Sequence, residues 1–353
     1  MVHRPLRLRL DGDALVSNWR WLRERSGSAA CGAAVKADGY GLGAREVVKR
    51  LAAAGCRDFF VSNWSEAEAL MPWAEGLGLS VLHGLGVDDE AAASVMPARP
   101  VLNTPEQVRR WREVGQGKPC DVMVDTGMSR LGLSPAEAGS GLLDGLVVDT
   151  LMSHLACADE PGHDLTAHQL DTFRQLRDAI PARRYSLANS AGICLGEEYA
   201  FDLTRPGIGL YGGRPMPSDP DQCRHLRSVA TIEARVIQVR TVEAGETVGY
   251  NATYRAQEQH RIAILNVGYA DGLLRQLHGI SVYHVDAFED HPLPLVGRIS
   301  MDLIAVYVSP LLPIAEGGWL TIYLELPVMA ARSQLSQYEI LTGLGSRFER
   351  VWT

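Results

Sequence analysis

One lysine, Lys36, stands near the end of the short apolar run CGAAVKA, and the glycine-rich segment DGYGLG follows this run at once. An apolar run of this length is typical of a buried strand, whose end would hold the amine in poorly solvated surroundings. Poor solvation disfavours the protonated form, lowers the pKa of a lysine and makes its amine a nucleophile toward carbonyl groups. Lys36 is therefore a candidate for imine formation, although a lysine at a strand end is more commonly a solvated surface group.

Polar residues also stand at the ends of later apolar runs. Arg130 follows the fifth run, His154 ends the sixth, Asn189 and Ser190 end the seventh, and residues 205–208 follow the eighth. In a barrel of parallel strands, the carboxyl ends of all strands face one mouth, where active sites lie. These residues are therefore expected to converge on the same mouth as the lysine.

The loops after the seventh and eighth runs, ANSAG and RPGIGLYGG, occupy the positions where barrels commonly bind a phosphate group. Asn189 and Ser190 offer polar groups there, and Gly207 lets backbone amides approach an anion closely. A tight turn that requires glycine would explain either loop alone. An imine-forming lysine and a phosphate site at one mouth together predict pyridoxal 5′-phosphate as the cofactor.

The elements that must position these residues alternate regularly between residues 30 and 213. The eight strand-like runs are CGAAVKA, DFFVSNW, LSVLHGLG, RPVLN, DVMVDT, LVVDTLMSH, RRYSLANS and FDLTRPGIGLYG. Strands that alternate with single helices predict a parallel sheet, and eight such units predict an α/β fold with a closed (β/α)8 barrel. An open doubly wound sheet is the alternative.

Three of the intervening segments show clear helix signals. GAREVVKRLAAAG places Val47, Val48 and Leu51 on one face, with Gly55 as a C-terminal stop. NTPEQVRRW offers Thr104 as an N-cap before a proline, and HDLTAHQLDTFRQLRDAI spaces its apolar residues by three and four. All three are predicted to be helices.

The pattern changes near residue 214, where apolar and polar residues begin to alternate and glycine and proline interrupt the runs. Such alternation predicts strands with one buried face. We therefore expect a barrel domain at 1–220 and a mostly β domain at 221–353.

Charge and composition argue against several kinds of partner. The formal net charge is −8 and no basic run appears, so neither nucleic acid nor an anionic membrane surface is expected to bind. The chain shows no long apolar stretch and no signal-peptide pattern, which predicts a cytoplasmic protein. The cysteines stand singly and the histidines lack ligand spacing, so no metal site is expected.

Eight ordered motifs resemble those of the alanine racemases, a family of pyridoxal-phosphate enzymes. They are AVKADGYGLGA, VDTGMSRLG, SHLACADE, ANSAG, TRPGIGLYG, VGYNATY, GYADG and VGRISMD, and the match runs from about residue 30 to 350, nearly the whole chain. The resemblance implies a homodimer with shared active sites that interconverts L- and D-alanine. The product would serve cell-wall (peptidoglycan) synthesis, or the enzyme would serve D-alanine catabolism.

The resemblance also implies roles for individual residues. Lys36 would carry the cofactor imine and act as the base on one face of the substrate Cα, and the partner subunit's Tyr250 would act on the opposite face. Cofactor contacts are implied for Lys36, Tyr40, Ser190, Arg205, Gly207 and Ile208. His154 is counted with them and would link Arg205 and Tyr250 in a hydrogen-bonded row, and the loop ANSAG adds Asn189. Arg130 and Met301 would position the substrate carboxylate, and Tyr269 and Arg298 would line the entrance.

Independent chemistry agrees with these roles. Racemisation requires proton removal on one face of a planar carbanion and proton return on the other, so two bases must flank it. An arginine beside the ring nitrogen, as implied for Arg205, cannot accept the proton of that nitrogen. The ring is then a weaker electron sink, which disfavours a long-lived carbanion and its side reactions.

Two positions depart from the family pattern. Met123 stands where many members carry a lysine, sometimes carbamylated, so Arg130 needs another partner or orientation. Ser346 stands at the apparent position of a tyrosine that touches the phosphate and narrows the entrance. A wider entrance favours a broad-specificity racemase, acting for example on serine, as the first alternative.

Two further alternatives remain at this point. A decarboxylase could share the barrel and the cofactor, but such enzymes usually place an acidic group, not Arg205, at the ring nitrogen. A non-catalytic carrier of the cofactor would explain Lys36, although the β domain bearing Tyr250 argues against it.

Overall fold

The structure is a computed structural model that describes residues 4–219, 221–277, 280–285 and 290–353. It divides into two compact units: Ala14–Arg227, and the described residues up to Asp13 together with Ser228–Thr353. The sequence-based boundary at residue 220 places the first residues with the barrel, whereas the structure places them with the second unit. The reason is that the strand Leu6–Leu10 pairs antiparallel with the strand Ala230–Val242.

In the unit Ala14–Arg227, all eight predicted runs contain strands, and the first is interrupted at Gly32. The strands are Ala30–Cys31 with Ala33–Ala34, Asp58–Val61, Gly78–Val81, Arg99–Leu102, Cys120–Met123, Val148–Met152, Arg184–Ser186 and Leu203–Thr204. From Ala33–Ala34 to Arg184–Ser186, neighbours in the chain are parallel neighbours in one sheet. The predicted parallel sheet is therefore confirmed.

The eighth strand closes this sheet into a barrel. Leu203–Thr204 pairs in parallel with Ala30–Cys31 on one side. On the other side, the amides of Asp202 and Arg205 donate to the carbonyls of Tyr185 and Ala188, which belong to the seventh run. The (β/α)8 barrel is confirmed, and the alternative of an open sheet is wrong.

The predicted helices have the expected signals. Val47, Val48 and Leu51 are buried, and Gly55 ends its helix with a φ of 113°. Thr104 accepts a hydrogen bond from the amide of Gln107 at 3.1 Å, as an N-cap does. The helices up to residue 227 are Gly12–Arg25, Ala44–Ala54, Trp64–Leu70, Glu90–Val95, Pro105–Val114, Pro135–Ala138, Asp164–Ala179 and Ser190–Leu195, with a turn at Lys36–Tyr40 that is described below.

A buried ion network lies at the amino ends of the barrel strands, opposite the mouth. Arg184 donates to Asp58 at 2.7 Å and to Asp149 at 3.0 Å, and Arg99 lies 3.3 Å from Asp121. Each buried carboxylate therefore faces a guanidinium group, as burial of charge requires. This network connects several strands, and its residues are distinct from those at the mouth.

The second unit contains an eight-stranded sheet and a short hairpin. Its strands are Leu6–Leu10, Ala230–Val242, His260–Leu265, Ser281–Val285, Asp290–Val296, Ile304–Val308, Trp319–Tyr323 and Glu349–Trp352, and the hairpin pairs Thr247–Val248 with Tyr254–Arg255. Two helices, Leu326–Ser333 and Gln337–Thr342, complete the unit. The predicted mostly β character is confirmed; in the run ISVYHVDAF, residues 286–288 lie outside the described residues.

In the part of the chain that the structure describes, no helix has both the length and the apolar character needed to cross a bilayer.

Candidate active site

Lys36 follows the strand Ala33–Ala34 after one intervening residue, Val35, and opens an unusual turn. The next four residues, Ala37 to Tyr40, have φ values of 53°, 52°, 64° and 57°. Such left-handed conformations cost about 1–2 kcal/mol for each residue other than glycine. Asp38 stabilises the turn, because its carboxylate accepts from the amide of Ala44 at 2.8 Å and its carbonyl accepts from Gly43 at 2.8 Å.

The surroundings of Lys36 favour the neutral amine. Burial, and then the Arg130 cation, lower the pKa of Lys36, whereas the Glu66 carboxylate raises it. An amine with a lowered pKa is deprotonated at a lower pH and can attack a carbonyl carbon. Burial and the Arg130 cation therefore give a physical reason to expect imine formation at Lys36.

Ser190 and Gly207 lie together at the mouth. The Ser190 hydroxyl oxygen accepts from the amide of Gly207 at 2.8 Å and from that of Gly209 at 3.3 Å. A Cβ atom at residue 207 would overlap the Tyr40 hydroxyl, so any larger residue would have to displace Tyr40. Ile208 is buried and begins the short helix Ile208–Tyr211. Hydroxyl groups and backbone amides are hydrogen-bond donors that suit a phosphate group.

Gly207→Ala is expected to weaken pyridoxal-phosphate binding about 10–100-fold, because overpacking by one methyl group costs about 1–3 kcal/mol and would displace the Tyr40 hydroxyl. Titration of the apoprotein with the cofactor, followed by absorbance, measures this change. Gly139→Ala is the control, since residue 139 is exposed and a Cβ atom there meets only the carbonyl of Pro135 at 3.3 Å. Equal affinities of Gly207→Ala and the original chain would contradict the assignment.

Asn189 has a different contact from the one expected. Its side-chain oxygen accepts from the amide of Gly192 at 2.9 Å and thereby caps the helix Ser190–Leu195. This bond fixes the start of the helix and with it the position of Ser190. Asn189 therefore supports the Ser190 hydroxyl through the backbone.

Arg205 is a buried cation beside His154. Its guanidinium group donates to the Ser186 hydroxyl and to the Ser153 carbonyl, both neutral groups. Burial lowers the pKa of Arg205 to about 10, so it remains charged at neutral pH. Burial, followed by the cations Arg205, Arg130 and Lys36, lowers the pKa of His154 to about 3. His154 is therefore neutral at neutral pH, and the positive charge around it comes from the guanidinium groups of Arg205 and Arg130.

Gln169 holds the loops that follow two of the strands. This residue is fully buried, and its amide nitrogen donates to the His154 carbonyl at 2.9 Å and to the Thr126 hydroxyl at 3.2 Å. Its amide oxygen accepts from the amide of Ala156 at 2.9 Å. The sequence analysis did not single out Gln169, because a glutamine within an amphipathic helix gives no local signal of such contacts.

Arg130 lies in the exposed loop after the strand Cys120–Met123. This loop is ordered by Asp125, whose carboxylate accepts from the amides of Gly127, Met128 and Ser129 at 2.8, 2.9 and 3.1 Å. Met123 is buried and offers no charge to the guanidinium group. Asp125 therefore orders the backbone of the loop that carries Arg130, and it is a further residue that the sequence analysis missed.

In the second unit, Tyr250 lies at the tip of the hairpin formed by Thr247–Val248 and Tyr254–Arg255. Its side chain is 63% exposed. Gly249, Asn251 and Ala252 have φ values of 77°, 62° and 50°, so the backbone at the tip is left-handed. The phenol is thus presented outward from its own unit.

The other three predicted residues of this unit lie on loops that are joined to one another. The amide of Tyr269 donates to the Ser300 carbonyl at 3.0 Å, beside Met301, which is 53% exposed. Arg347 strengthens this junction by donating to Asp271 at 2.6 Å and to Asp302 at 2.7 Å. Arg298 is exposed and lies next to Gly297, where a Cβ atom would come within 2.7 Å of the Val248 carbonyl in the Tyr250 hairpin.

A (β/α)8 barrel whose mouth gathers a lysine amine, two guanidinium groups and a glycine-containing turn is typical of enzymes that hold a phosphorylated cofactor. Family models for the alanine racemase N-terminal and C-terminal domains match residues 10–215 and 229–352. The chain belongs to the alanine racemase family, and the resemblance found in the sequence is confirmed.

Individual relatives are similar to this chain over more than nine tenths of their length. An alanine racemase of Methylobacterium nodulans is 40% identical over 98% of this chain and 95% of the relative. A catabolic alanine racemase of Agrobacterium fabrum is also 40% identical, over 98% and 91%. The crystal structure of alanine racemase from Bartonella henselae with covalently bound pyridoxal phosphate has a TM-score of 0.89 and 33% identity, with 99% of each chain covered.

Proposed function

We propose that this chain is a pyridoxal-phosphate-dependent racemase that interconverts L- and D-alanine. The observation that carries the proposal is the buried Lys36 amine with the Arg130 and Arg205 guanidinium groups around a neutral His154. A phosphorylated cofactor and a substrate carboxylate are the anions that such a mouth accommodates. When bound, the cofactor supplies an electron-withdrawing ring that makes the substrate Cα–H acidic.

Different residues of the barrel would bind the cofactor, transfer the proton and bind the phosphate group. Lys36 would hold the cofactor and serve as the base on one face of the substrate Cα. Tyr40, Ser190, Gly207 and Ile208 would bind the phosphate group. The Ser190 hydroxyl would donate its proton to the phosphate, and the amides of Gly207 and Gly209, which now donate to the Ser190 oxygen, would gain a stronger, charged acceptor.

Arg205 would face the ring nitrogen of the cofactor. A guanidinium group stays protonated and only donates, so the ring nitrogen would keep its lone pair. This favours short-lived carbanion character at Cα and therefore proton return over side reactions. His154, held by Gln169, would stand between Arg205 and the second base, and Arg130 would bind the substrate carboxylate.

The second base is proposed to be Tyr250 of the partner subunit in a homodimer. The exposed hairpin tip supports this role, because a phenol directed out of its own unit is available to another chain. Met301 would contact the substrate carboxylate in the same shared site, and Tyr269 and Arg298 would line its entrance. A homodimer of this kind has two equivalent sites.

Racemisation of L-alanine, with L-serine and L-lysine in parallel and chiral chromatography as the readout, tests the proposal on the reconstituted protein. A strong preference for alanine is expected. Comparable turnover of serine or lysine would favour the broad-specificity alternative, for which the exposed Ser346 is the motivating residue. Cofactor binding without turnover of any substrate would contradict the proposal and favour a carrier.

A further inference from the structure

Glu66 connects the ends of two neighbouring strands at the mouth. It is the third residue of the helix Trp64–Leu70, which Asn63 caps by accepting from the Glu66 amide at 3.0 Å. The Glu66 side chain turns back from the helix, and its two carboxylate oxygens have different donors. One accepts from the amide of Ser62 at 2.8 Å, and the other accepts from the amide of Ala37 at 2.9 Å.

The hydrogen bond between Glu66 and the Ala37 amide acts on the backbone position of Lys36. It belongs to the peptide group that directly follows the Lys36 Cα, so its orientation fixes the backbone from which the amine extends. Ala37 is also the first of the four left-handed residues. Hydrogen bonds from backbone amides to a carboxylate are about twice as strong as those between neutral groups, and here they offset part of the cost of the turn.

We propose that Glu66 is a positioning residue for Lys36, which it holds in place by binding the Ala37 amide and anchoring that amide to the end of the next strand at Ser62. The proposal rests on the proposed function of Lys36. Glu66 neither donates a proton nor contacts a reacting atom. It acts by holding the backbone of the turn that carries Lys36.

The charge of Glu66 has a second consequence. The titratable groups that act on the Lys36 amine are Arg130, which lowers its pKa, and Glu66, which raises it, while His154 nearby is neutral. Without Glu66, burial and the remaining cation would lower the pKa of Lys36 further. Two substitutions can therefore separate the effect of the Glu66 charge from the effect of its side-chain length.

Glu66→Asp keeps the charge but shortens the side chain by one methylene group, and Glu66→Gln keeps the length but removes the charge. In Glu66→Asp, hydrogen exchange of the Ala37 amide in the full-length apoprotein is expected to accelerate about tenfold or more, which corresponds to about 1.4 kcal/mol. In Glu66→Gln, the pH midpoint for the rate of pyridoxal-phosphate capture is expected to shift to lower pH, because the unprotonated amine is the reacting form. Glu68→Gln, an exposed position on the same helix, should change neither quantity.

Unaltered exchange at Ala37 in Glu66→Asp would overturn the positioning role, and an unaltered pH midpoint in Glu66→Gln would overturn the electrostatic one. A merely structural contribution of Glu66 would not move that midpoint. Failure of the proposed function gives a different result: Lys36→Ala would then capture the cofactor as well as the original chain, while exchange at Ala37 would still respond to Glu66→Asp.

Discussion

Lys36→Ala is expected to lower the rate of alanine racemisation about 10⁴-fold, because it removes the amine that would hold the cofactor together with one of the two bases. The absorbance of lysine-bound cofactor near the edge of the visible range should disappear at the same time. Chiral chromatography and an absorbance spectrum of the reconstituted variant measure both effects. The loss of two functions in one substitution makes this the largest effect that we expect.

Lys49→Ala is the matched control for this variant. Lys49 lies on the neighbouring helix Ala44–Ala54, where its amine pairs with Glu46 at 3.2 Å on the surface. Its loss should leave both the rate and the spectrum unchanged. A Lys36→Ala variant with its absorbance band and racemisation intact would remove Lys36 from the mechanism.

Tyr250→Phe is expected to lower racemisation about 10²–10⁴-fold, the usual contribution of a general acid or base. The remaining base, Lys36, still exchanges the Cα proton on its own face. In deuterated water, the variant should therefore incorporate deuterium into one alanine enantiomer with retention of configuration while inversion is lost. Mass spectrometry combined with chiral separation distinguishes exchange from inversion.

Tyr254→Phe is the control in the same hairpin, since the Tyr254 hydroxyl contacts His260 at 3.1 Å within the unit. It should racemise at the original rate if the hairpin is intact. Unchanged rates in both directions for Tyr250→Phe would exclude this tyrosine as a base. Loss of cofactor binding in that variant would likewise argue for a structural role.

Most of the barrel could be predicted from the sequence because each of its strands is a short apolar run between clear turn or helix signals. The strands Leu6–Leu10 and Glu349–Trp352 were missed. They pair with each other in parallel, and Leu6–Leu10 also pairs with Ala230–Val242, so their partners lie hundreds of residues away in the chain. Pairing at such a distance leaves no local pattern. The same pairing explains why the first residues join the second unit.

The site residues fall into two groups by the kind of signal that they leave. Lys36 and Gly207 stand at strand ends and could be proposed from position and residue type. The supporting residues Glu66, Asp125 and Gln169 could not, because their function lies in hydrogen bonds to backbone amides and carbonyls of other loops. Side-chain contacts with a backbone are not encoded in the spacing of polar residues.

Asn189 lies where the sequence predicts, but its side chain makes a different contact from the one expected. The sequence predicts that Asn189 lies beside Ser190 at the mouth. In the structure, the Asn189 side chain caps the helix Ser190–Leu195. An asparagine before a helix favours this arrangement, since its short side chain reaches the third helical amide. Direct contact of Asn189 with a cofactor stays a prediction.

The shared site with Lys36 from one subunit and Tyr250 from the other is the central claim, and subunit complementation tests it most directly. Lys36→Ala and Tyr250→Phe, each nearly inactive, are mixed under conditions that exchange subunits, and racemisation is measured. Random exchange makes about half of the dimers mixed, each with one intact site, so about a quarter of the original activity should return. If the activity of the mixture stays at the sum of the two variants while mixed dimers are present, the two residues do not meet across an interface and the account is contradicted.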